Sequence, residues 1–195
     1  VAFQDSLVVF KEDSIWQITA SSSGTPVLTP VNESVGCVAP RSIVVAYERL
    51  VFVGKDNVYQ YNGGPIKPLS KGLSRWWKSA YPYGLRSALS WVDERERRLF
   101  IAIQAGPGDV NDMVICYHYQ LDAVTVVKNQ KITAAAPYKG ESVLAVQHDE
   151  KSATSVVVRD PPRGPTNILG VGRPAIGLKS EIVHSSVRNS DLVLW

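Results

Sequence analysis

The chain has 195 residues, of which 45% are hydrophobic and 20% charged, and its formal net charge is +3. This composition excludes a disordered chain, and the charge is too small to indicate nucleic-acid binding. No apolar run approaches the ~18–20 residues that a transmembrane helix needs, so we expect no membrane insertion. The start carries no secretory signal and no Met, and we interpret the chain as a processed or excised piece of a longer polypeptide.

One pattern occurs twice, 43 residues apart and without a gap, so that residues 7–18 align with residues 50–61. Each copy is an apolar strand, a polar Asp-Ser or Asp-Asn turn, and a second strand that carries an aromatic residue and then Gln. A period in the forties that is built from short strands is typical of a propeller blade or a related β-array. We therefore predict a scaffold of repeated β-hairpins.

The next elements are two hairpins in immediate succession. Residues 42–47 and 50–53 flank a predicted two-residue turn at Glu48-Arg49, and the following hairpin turns at residues 55–57. The strand after it ends at Asn-Gly-Gly-Pro, residues 62–65, which is a strong stop signal. Three strands joined by short turns form an antiparallel meander, which is most of a blade.

A single segment, residues 69–78, is predicted to be helical. Ser70 is a candidate N-cap, and Leu69, Leu73, Trp76 and Trp77 recur at helical spacing. A short helix at this place would link two blades.

The strand pattern then returns with longer loops. Residues 86–92 match 41–47, residues 98–103 match 49–53, and residues 116–119 fall where 58–61 fell. The extra length lies in the glycine-rich segment 104–112, which is a loop by composition, and hairpin tips tolerate added length well.

A fourth and weaker copy pairs residues 142–146 with 154–158. Residues 160–174 are rich in Pro and Gly and indicate a linker, after which residues 175–195 return to strand character. We thus predict an all-β fold of antiparallel meander repeats, a partial β-propeller. Its blades would occupy residues 1–159, with repeats near 1–64, 80–125 and 135–159, and residues 160–195 would hold a linker and C-terminal strands of another subdomain.

The histidines and cysteines, which could bind a metal ion or carry chemistry, are far apart in the sequence. The three histidines, His118, His148 and His184, lack metal-ligand spacing and are interpreted as surface or strand-face residues. The two cysteines, Cys37 and Cys116, form neither a disulfide framework nor a CxxC site, and their apolar neighbours predict buried thiols.

Carboxylates matter because propellers can host glycosidases, in which two acids flank the scissile bond. The candidates are Asp93, Glu94, Glu96, Asp109 and Asp112, and their loops, rich in charge or glycine, indicate solvated turn residues. Arg95, Arg97 and Arg98 alternate with two of these acids, as at a solvated hairpin tip. The chain is predicted not to be an enzyme, with no catalytic, cofactor-binding or metal-binding residue and no cofactor.

The aromatic residues Trp16, Tyr59 and Tyr117 recur at one position of the repeat. Such recurrence predicts a packing role between blades rather than a carbohydrate-stacking surface.

Several short motifs together resemble a known family. They are residues 7–18, 28–30, the Gly-Cys-Val-Ala-Pro-Arg-Ser run at 36–42, 50–53 and 58–64, followed by 88–93 and 113–119. These runs resemble the tail proteins of short-tailed bacteriophages, namely the tail nozzle, or tail tubular protein B-like, and tail-stabilisation proteins. The resemblance covers about residues 7–146.

The resemblance implies a structural virion protein of the phage tail, made in the cytoplasm of the bacterial host, that supports assembly and DNA ejection. It implies a ring-like homo-oligomer that contacts other tail or connector proteins and touches genomic DNA transiently in a lumen. The alternative is a propeller-type domain that binds carbohydrate or protein through loops such as 104–112, or even hydrolyses glycosides. An unrelated all-β scaffold, such as a protein-interaction propeller, also stays open.

Overall fold

The computed structural model describes residues 1–77, 80–138, 141–147, 154–159 and 192–194. Within them the chain is all-β, with one α-helix, α1 (Lys71–Trp77), and two 3-10 turns at Pro40–Ser42 and Pro82–Ser87. The strands form three sheets in which strand order follows chain order. The predicted architecture of antiparallel meanders in a propeller-like arrangement is therefore confirmed.

Sheet A contains the first copy of the repeat. Its four strands are β1 (Ala2–Phe3), β2 (Ser6–Phe10), β3 (Ile15–Ala20) and β4 (Pro26–Asn32). The predicted Asp-Ser turn connects β2 to β3, where Phe10 pairs with Ile15 and Val8 with Gln17. Since side chains alternate between the two faces of a strand, Val8 and Ile15 point to one face and Leu7 and Trp16 to the other.

Sheet B contains the second copy. Its strands are β5 (Val44–Ala46), β6 (Arg49–Val53), β7 (Val58–Tyr61) and β8 (Lys67–Pro68). The turn predicted at Glu48-Arg49 is wrong by one residue, because Arg49 pairs with Ala46 and the turn is Tyr47-Glu48. Both turn residues have positive φ, +47° and +61°. That backbone matches the twist of the flanking strands, and it overrides the usual preference for Gly or Asn.

Sheet C is larger than a single blade. Its strands are β9 (Leu89–Asp93), β10 (Arg98–Ile103), β11 (Asn111–His118), β12 (Ala123–Tyr138), β13 (Glu141–Gln147), β14 (Thr154–Arg159) and β15 (Leu192–Leu194). The loop predicted over 104–112 ends at residue 110, because β11 already begins at Asn111. The last pair departs from the meander, since β15 runs parallel to β14.

Strand β12 connects the third and fourth copies of the pattern. Its first half pairs with β11 and its second half with β13, with a register shift at Ile132/Ala134. Such irregularities bend a strand and increase its twist. As a result β13 lies over β9, and the sheet covers part of its own face.

Three hydrophobic cores hold the sheets together. The A–B core joins sheets A and B through Phe3, Val8 and Ile15 on one side and Leu50, Phe52, Tyr59 and Tyr61 on the other. The B–C core joins Val51, Val53 and Val58 to Leu99, Ile101, Ile103 and Tyr117. The C core lies inside sheet C, where Trp91 and Phe100 pack against Ile132, Leu144 and Val146.

The central strands β6 and β10 are buried on both faces. In β6, Leu50 and Phe52 enter the A–B core while Val51 and Val53 enter the B–C core. In β10, odd-numbered residues from Leu99 enter the B–C core and even-numbered residues from Phe100 enter the C core. Sheets stacked face to face in this way are the basis of a propeller.

Helix α1 follows sheet B, as predicted from residues 69–78. Ser70 precedes its first residue, and the Ser70 hydroxyl accepts a hydrogen bond from the Gly72 amide at 3.2 Å. Leu73 and Trp77 are buried in the B–C core. No helix among the described residues has the length and hydropathy to cross a membrane.

Candidate functional site

The recurring aromatic position faces the preceding sheet. Tyr59 lies in the A–B core, with its ring centroid 5.8 Å from that of Phe52, and Tyr117 lies in the B–C core. The packing role predicted for these two residues is confirmed. Trp16 has the same register position on the outer face of sheet A, where it is half-buried.

Trp16 is held locally at that outer face. Its indole Nε1 donates to the hydroxyl of Ser14 at 3.3 Å, and the ammonium of Lys11 lies 5.7 Å from the ring centroid. A cation at this distance from an indole ring is attracted by its π-face. These contacts orient the indole without burying it.

A cluster of three tyrosines closes one end of the B–C core. The rings of Tyr47 and Tyr117 each contact Tyr119 edge to face, at centroid distances of 4.6 and 4.9 Å. The Tyr47 hydroxyl donates to the backbone carbonyls of Asp93 and Glu94, at 3.0 and 3.1 Å. The cluster therefore connects the β5–β6 turn to the β9–β10 turn.

Burial is the main reason why the pKa values in this cluster are raised. It raises the pKa of Tyr47 to about 12, with a further contribution from the negative charges of Asp93 and Glu94. Burial and then the hydrogen bond to Asp122 raise the pKa of Tyr117 to about 12. The pKa of Tyr119 is also raised, chiefly by burial. All three hydroxyls are thus neutral at physiological pH, and those of Tyr47 and Tyr117 donate hydrogen bonds, whereas the buried Tyr119 hydroxyl has no hydrogen-bond partner.

The sequence pattern did not reveal this cluster as a unit. Tyr119 alternates with Tyr117 and could have been placed on the same face, but the repeat counterpart of Tyr47 is Val92, which is not aromatic and so does not mark it. Its position depends on the positive-φ turn, which only the folded chain shows.

The candidate carboxylates form two groups at opposite ends of β10. Asp93, Glu94 and Glu96 lie at its start, and Asp109 and Asp112 lie beyond its end. A six-residue strand separates the groups by roughly 17–20 Å, given a rise of about 3.3 Å per residue. Glycosidase carboxyl pairs lie about 5–9.5 Å apart, so no acid of the first group can pair with one of the second.

Two of these acids are engaged in turns rather than solvated. Asp93 is the last residue of β9 and only 8% exposed, and its carboxylate accepts from the Glu96 amide at 3.0 Å. Asp112 lies in β11 and accepts from the Ala105 amide at 2.7 Å. The prediction that these two acids are solvated turn residues is wrong, because each carboxylate accepts a hydrogen bond from a backbone amide of its own hairpin. Glu94 and Asp109 are exposed.

The hairpin tip with alternating charges lies between β9 and β10, at residues 94–97. Arg95 and Arg97 are exposed there, and Arg98 lies 3.6 Å from the Glu96 carboxylate. This agrees with the interpretation of the Arg-Glu alternation as a solvated tip.

Loop 104–110 is held by buried amide side chains that the sequence did not single out. Asn111 is buried, and its side chain donates to the Ser87 carbonyl and accepts from the Ser87 hydroxyl, both at 2.8 Å. Gln104 is also buried and donates to the Gly108 carbonyl. The Asn111 bonds attach the end of the loop to the 3-10 turn at Pro82–Ser87, and the Gln104 bond closes the loop on itself.

Of the three histidines, only His118 lies within the described residues. It is the last residue of β11 and half-buried, and its Nδ1 is a buried atom with no hydrogen-bond partner. His148 and His184 lie outside the described residues. In the part of the chain that the structure describes, no group of three or more His, Cys, Asp or Glu residues could hold a metal ion.

Both cysteines are buried, as predicted, and they belong to different cores. The Cys37 thiol donates to the Ala39 carbonyl at 3.2 Å, and burial raises its pKa. A thiol in such a setting is packed rather than reactive.

Among the grooves on the described surface, two lie beside charged side chains. One, of about 170 Å³, is lined by Glu12, Lys55 and Arg86, and the Arg86–Glu12 ion pair spans 2.7 Å. The other, of about 190 Å³, lies beside Arg49 and Lys67 on sheet B. Both are smaller than the ~300–1,000 Å³ of typical ligand pockets.

Comparison with known proteins does not assign the chain to a family. No protein-family model matches the sequence, and no curated protein matches it. The chain is similar to the extracellular domain of a putative one-component system from B. thetaiotaomicron, with a TM-score of 0.45 and 11% sequence identity. The alignment covers 82% of this chain and 22% of that one, so the chain spans about a fifth of its length. Similarity at this level says nothing about function.

Proposed function

We propose that this chain is a structural protein of a short-tailed bacteriophage, a propeller-like part of the tail nozzle or tail tube. It is made in the cytoplasm of the bacterial host and incorporated into the virion, where it supports tail assembly and DNA ejection. It performs no catalysis. Copies of it form a ring, contact other tail or connector proteins, and meet the genome only through weak and transient contacts.

The observation that carries the proposal is the structural role of the residues that resemble the phage family. The run at residues 36–42 joins two sheets, since the Cys37 amide donates to the Lys11 carbonyl and the Val38 amide to the Val53 carbonyl, at 2.8 and 3.0 Å. Ser42 is fully buried, donates to the Ala39 carbonyl at 2.7 Å and accepts from the Val53 amide at 2.9 Å. Three of these bonds attach the run to residues of sheets A and B or of their turns, and the Ser42–Ala39 bond closes the 3-10 turn within the run.

The polar groups most suited to chemistry support the same proposal. Asp93 and Asp112 accept backbone hydrogen bonds within their own hairpins. Asn111 and Ser87 bond to each other. Groups that are used to hold turns together are typical of a scaffold.

The proposal is tested on phage particles produced from the genome that encodes this chain. An antibody raised against the chain is expected to label the tail in negative-stain images, and the chain should appear by mass spectrometry in purified, nuclease-treated particles. Antibody against the major capsid protein serves as the control for particle integrity. Finding the chain only in the soluble lysate, with no label on the particles, would contradict the proposal.

A glycan array separates the proposal from the carbohydrate-binding alternative. We expect no specific binding by the purified chain. The variant for this test is Asp109→Asn, because Asp109 is exposed whereas Asp112 holds the loop through Ala105. Specific glycan binding that the Asp109→Asn variant loses would favour the alternative and count against a purely structural role.

A further inference from the structure

The stop signal at residues 62–65 contains the single Asn-Gly step of the sequence. Strand β7 ends at Tyr61 and β8 begins at Lys67, so Asn62 and Gly63 lie in the connection between these strands, and both are exposed. Gly63 has a φ of +93°, a conformation that glycine adopts without steric cost. Asn62 is thus followed, in irregular backbone at the surface, by a residue that has no side chain.

The two amides that meet at this step are both free. Among the residues that the structure describes, neither the side-chain amide of Asn62 nor the backbone amide of Gly63 has a hydrogen-bond partner, and only the Asn62 carbonyl accepts a bond, from the Gln4 side chain at 3.4 Å. Asn57 differs, because its Nδ2 donates to the Ser74 hydroxyl at 3.0 Å and its Oδ1 accepts from the Val58 amide at 2.9 Å. No described contact therefore holds the Asn62 side chain away from the next backbone nitrogen.

We propose that Asn62 is a site of spontaneous deamidation. A solvent base removes the proton of the Gly63 amide, and the nitrogen attacks the carbonyl carbon of the Asn62 side chain. A new C–N bond forms, the bond from this carbon to Nδ2 breaks, and ammonia leaves. Water then opens the resulting five-membered cyclic imide at either of its carbonyls, which gives aspartate or isoaspartate at position 62. Because glycine has no Cβ, nothing on Gly63 hinders the attack.

The product carboxylate forms in a basic groove. Asn62 lines the groove of about 190 Å³ on sheet B together with Arg49, Gln60, Pro65 and Lys67, and none of these described lining residues is an acid. The Arg49 guanidinium donates to the Gln60 side chain at 2.8 Å, so it is oriented beside the groove. Nearby cations favour the ionised form of a carboxyl group. Deamidation thus lowers the formal charge of +3 by one unit at a place where two cations receive the new charge.

The modification is tested by mass spectrometry of the intact folded chain. The chain is incubated in mildly alkaline buffer and then digested with trypsin at mildly acidic pH, which yields the peptide of residues 56–71. We expect aspartate and isoaspartate to accumulate at position 62. Asn57 in the same peptide is the internal control and should stay intact, because both ends of its amide are hydrogen-bonded. A sample digested before incubation corrects for deamidation during handling.

The free peptide of residues 56–71 measures how much the fold affects the reaction. Because exposed connections open at little cost in free energy, we expect the rate at Asn62 in the folded chain to lie within about tenfold of the rate in the peptide. Gly63→Ala, which adds a methyl group beside the attacking nitrogen, should slow the reaction in the chain and in the peptide alike. Gly64→Ala is the matched control and should react like the parent. An Asn62 that stays intact in the folded chain, or that reacts only in urea, would overturn the proposal.

The role of the groove is tested with Asn62→Asp, which carries the aspartate product from the start. Its urea midpoint at low ionic strength is expected to be no lower than that of the neutral variant Asn62→Ser, and any difference should shrink in high salt, since the groove is open to solvent. A lower midpoint for Asn62→Asp would show that Arg49 and Lys67 do not receive the carboxylate.

Discussion

At the scale of single residues, close backbone contacts attach the hairpin tips to neighbouring sheets. Gly36 lies against the β2–β3 turn, so that a Cβ atom placed there would be 2.5 Å from the Asp13 amide nitrogen. The next residue, Cys37, donates its amide to Lys11 of the same turn. The close backbone atoms of the β2–β3 turn thus leave no room for a side chain at Gly36.

Replacing Gly36 by alanine should therefore destabilise the fold. Because the neighbouring atoms are backbone and cannot rotate away, we expect a loss of about 1–3 kcal/mol in the free energy of unfolding, measured in urea. Gly106→Ala is the matched control, since its added methyl group meets nothing within 4 Å. Equal stability of the two variants would show that the Gly36 turn is not packed as described.

The tyrosine cluster predicts a loss of stability at high pH. The pKa values of Tyr47 and Tyr117 rise from 10 to about 12 on folding, so the folded state holds these protons more tightly. Their contribution is fully present below pH 10 and is lost as the pH rises through about 12. We expect Tyr117→Phe to reduce the pH dependence of the unfolding free energy in that range.

The control for this titration is Tyr83→Phe, at a side chain that is 84% exposed. The parent and both variants are compared between about pH 9 and 12, a window set by the ordinary tyrosine pKa near 10 and the raised pKa of Tyr117. A Tyr117→Phe profile that coincides with that of the parent would contradict the raised pKa of Tyr117.

At the scale of secondary-structure elements, strands were predictable and their exact ends were not. Apolar runs bounded by turn residues and repeated after 43 residues predicted β2, β3, β6 and β7, and a looser match to the same pattern predicted β10. The β5–β6 turn was misplaced because Tyr47 and Glu48 adopt positive φ without Gly or Asn. The burial of Asp93 was also missed, since it depends on the Glu96 amide three residues later.

At the scale of elements, the N-terminal cap of α1 by Ser70 can be tested by substitution. Ser70 satisfies the Gly72 amide, which otherwise has no partner within a seven-residue helix. Ser70→Ala should cost about 1 kcal/mol in unfolding free energy, whereas Ser70→Thr, which keeps an acceptor oxygen without placing a charge at this buried site, should lose less. Chemical denaturation of both variants measures the difference, and a Ser70→Thr variant as unstable as Ser70→Ala would argue against capping.

At the scale of the whole molecule, each sheet contacts mainly its neighbours along the stack. Sheet A is attached to the rest chiefly through the A–B core. The Arg86–Glu12 ion pair adds little, because its side chains are 72% and 49% exposed and exposed pairs contribute at most about 1 kcal/mol. In such an array the free energy of unfolding is approximately the sum of the contributions of the individual sheets and of the interfaces between neighbouring sheets.

Phe52→Ala tests this stack, because Phe52 is fully buried in the A–B core. We expect a loss of about 3–5 kcal/mol, concentrated at sheet A. Hydrogen exchange should accelerate in residues 1–32 while amides of β10 and β11 stay protected. Val45→Ala, at an exposed position of sheet B, is the control. Equal acceleration throughout the chain would indicate one fully cooperative unit instead.

The sequence by itself determined the repeated hairpins and the position of the helix. These follow from local patterns, namely apolar runs, turn residues and helical spacing, which recur from one copy of the repeat to the next. The tertiary structure decided which face covers which. The recurring aromatic position turned out to face the preceding sheet at Tyr59 and Tyr117, and the same position in sheet A holds the half-buried Trp16. Face pairing is decided by packing between sheets distant in sequence, which no local pattern encodes.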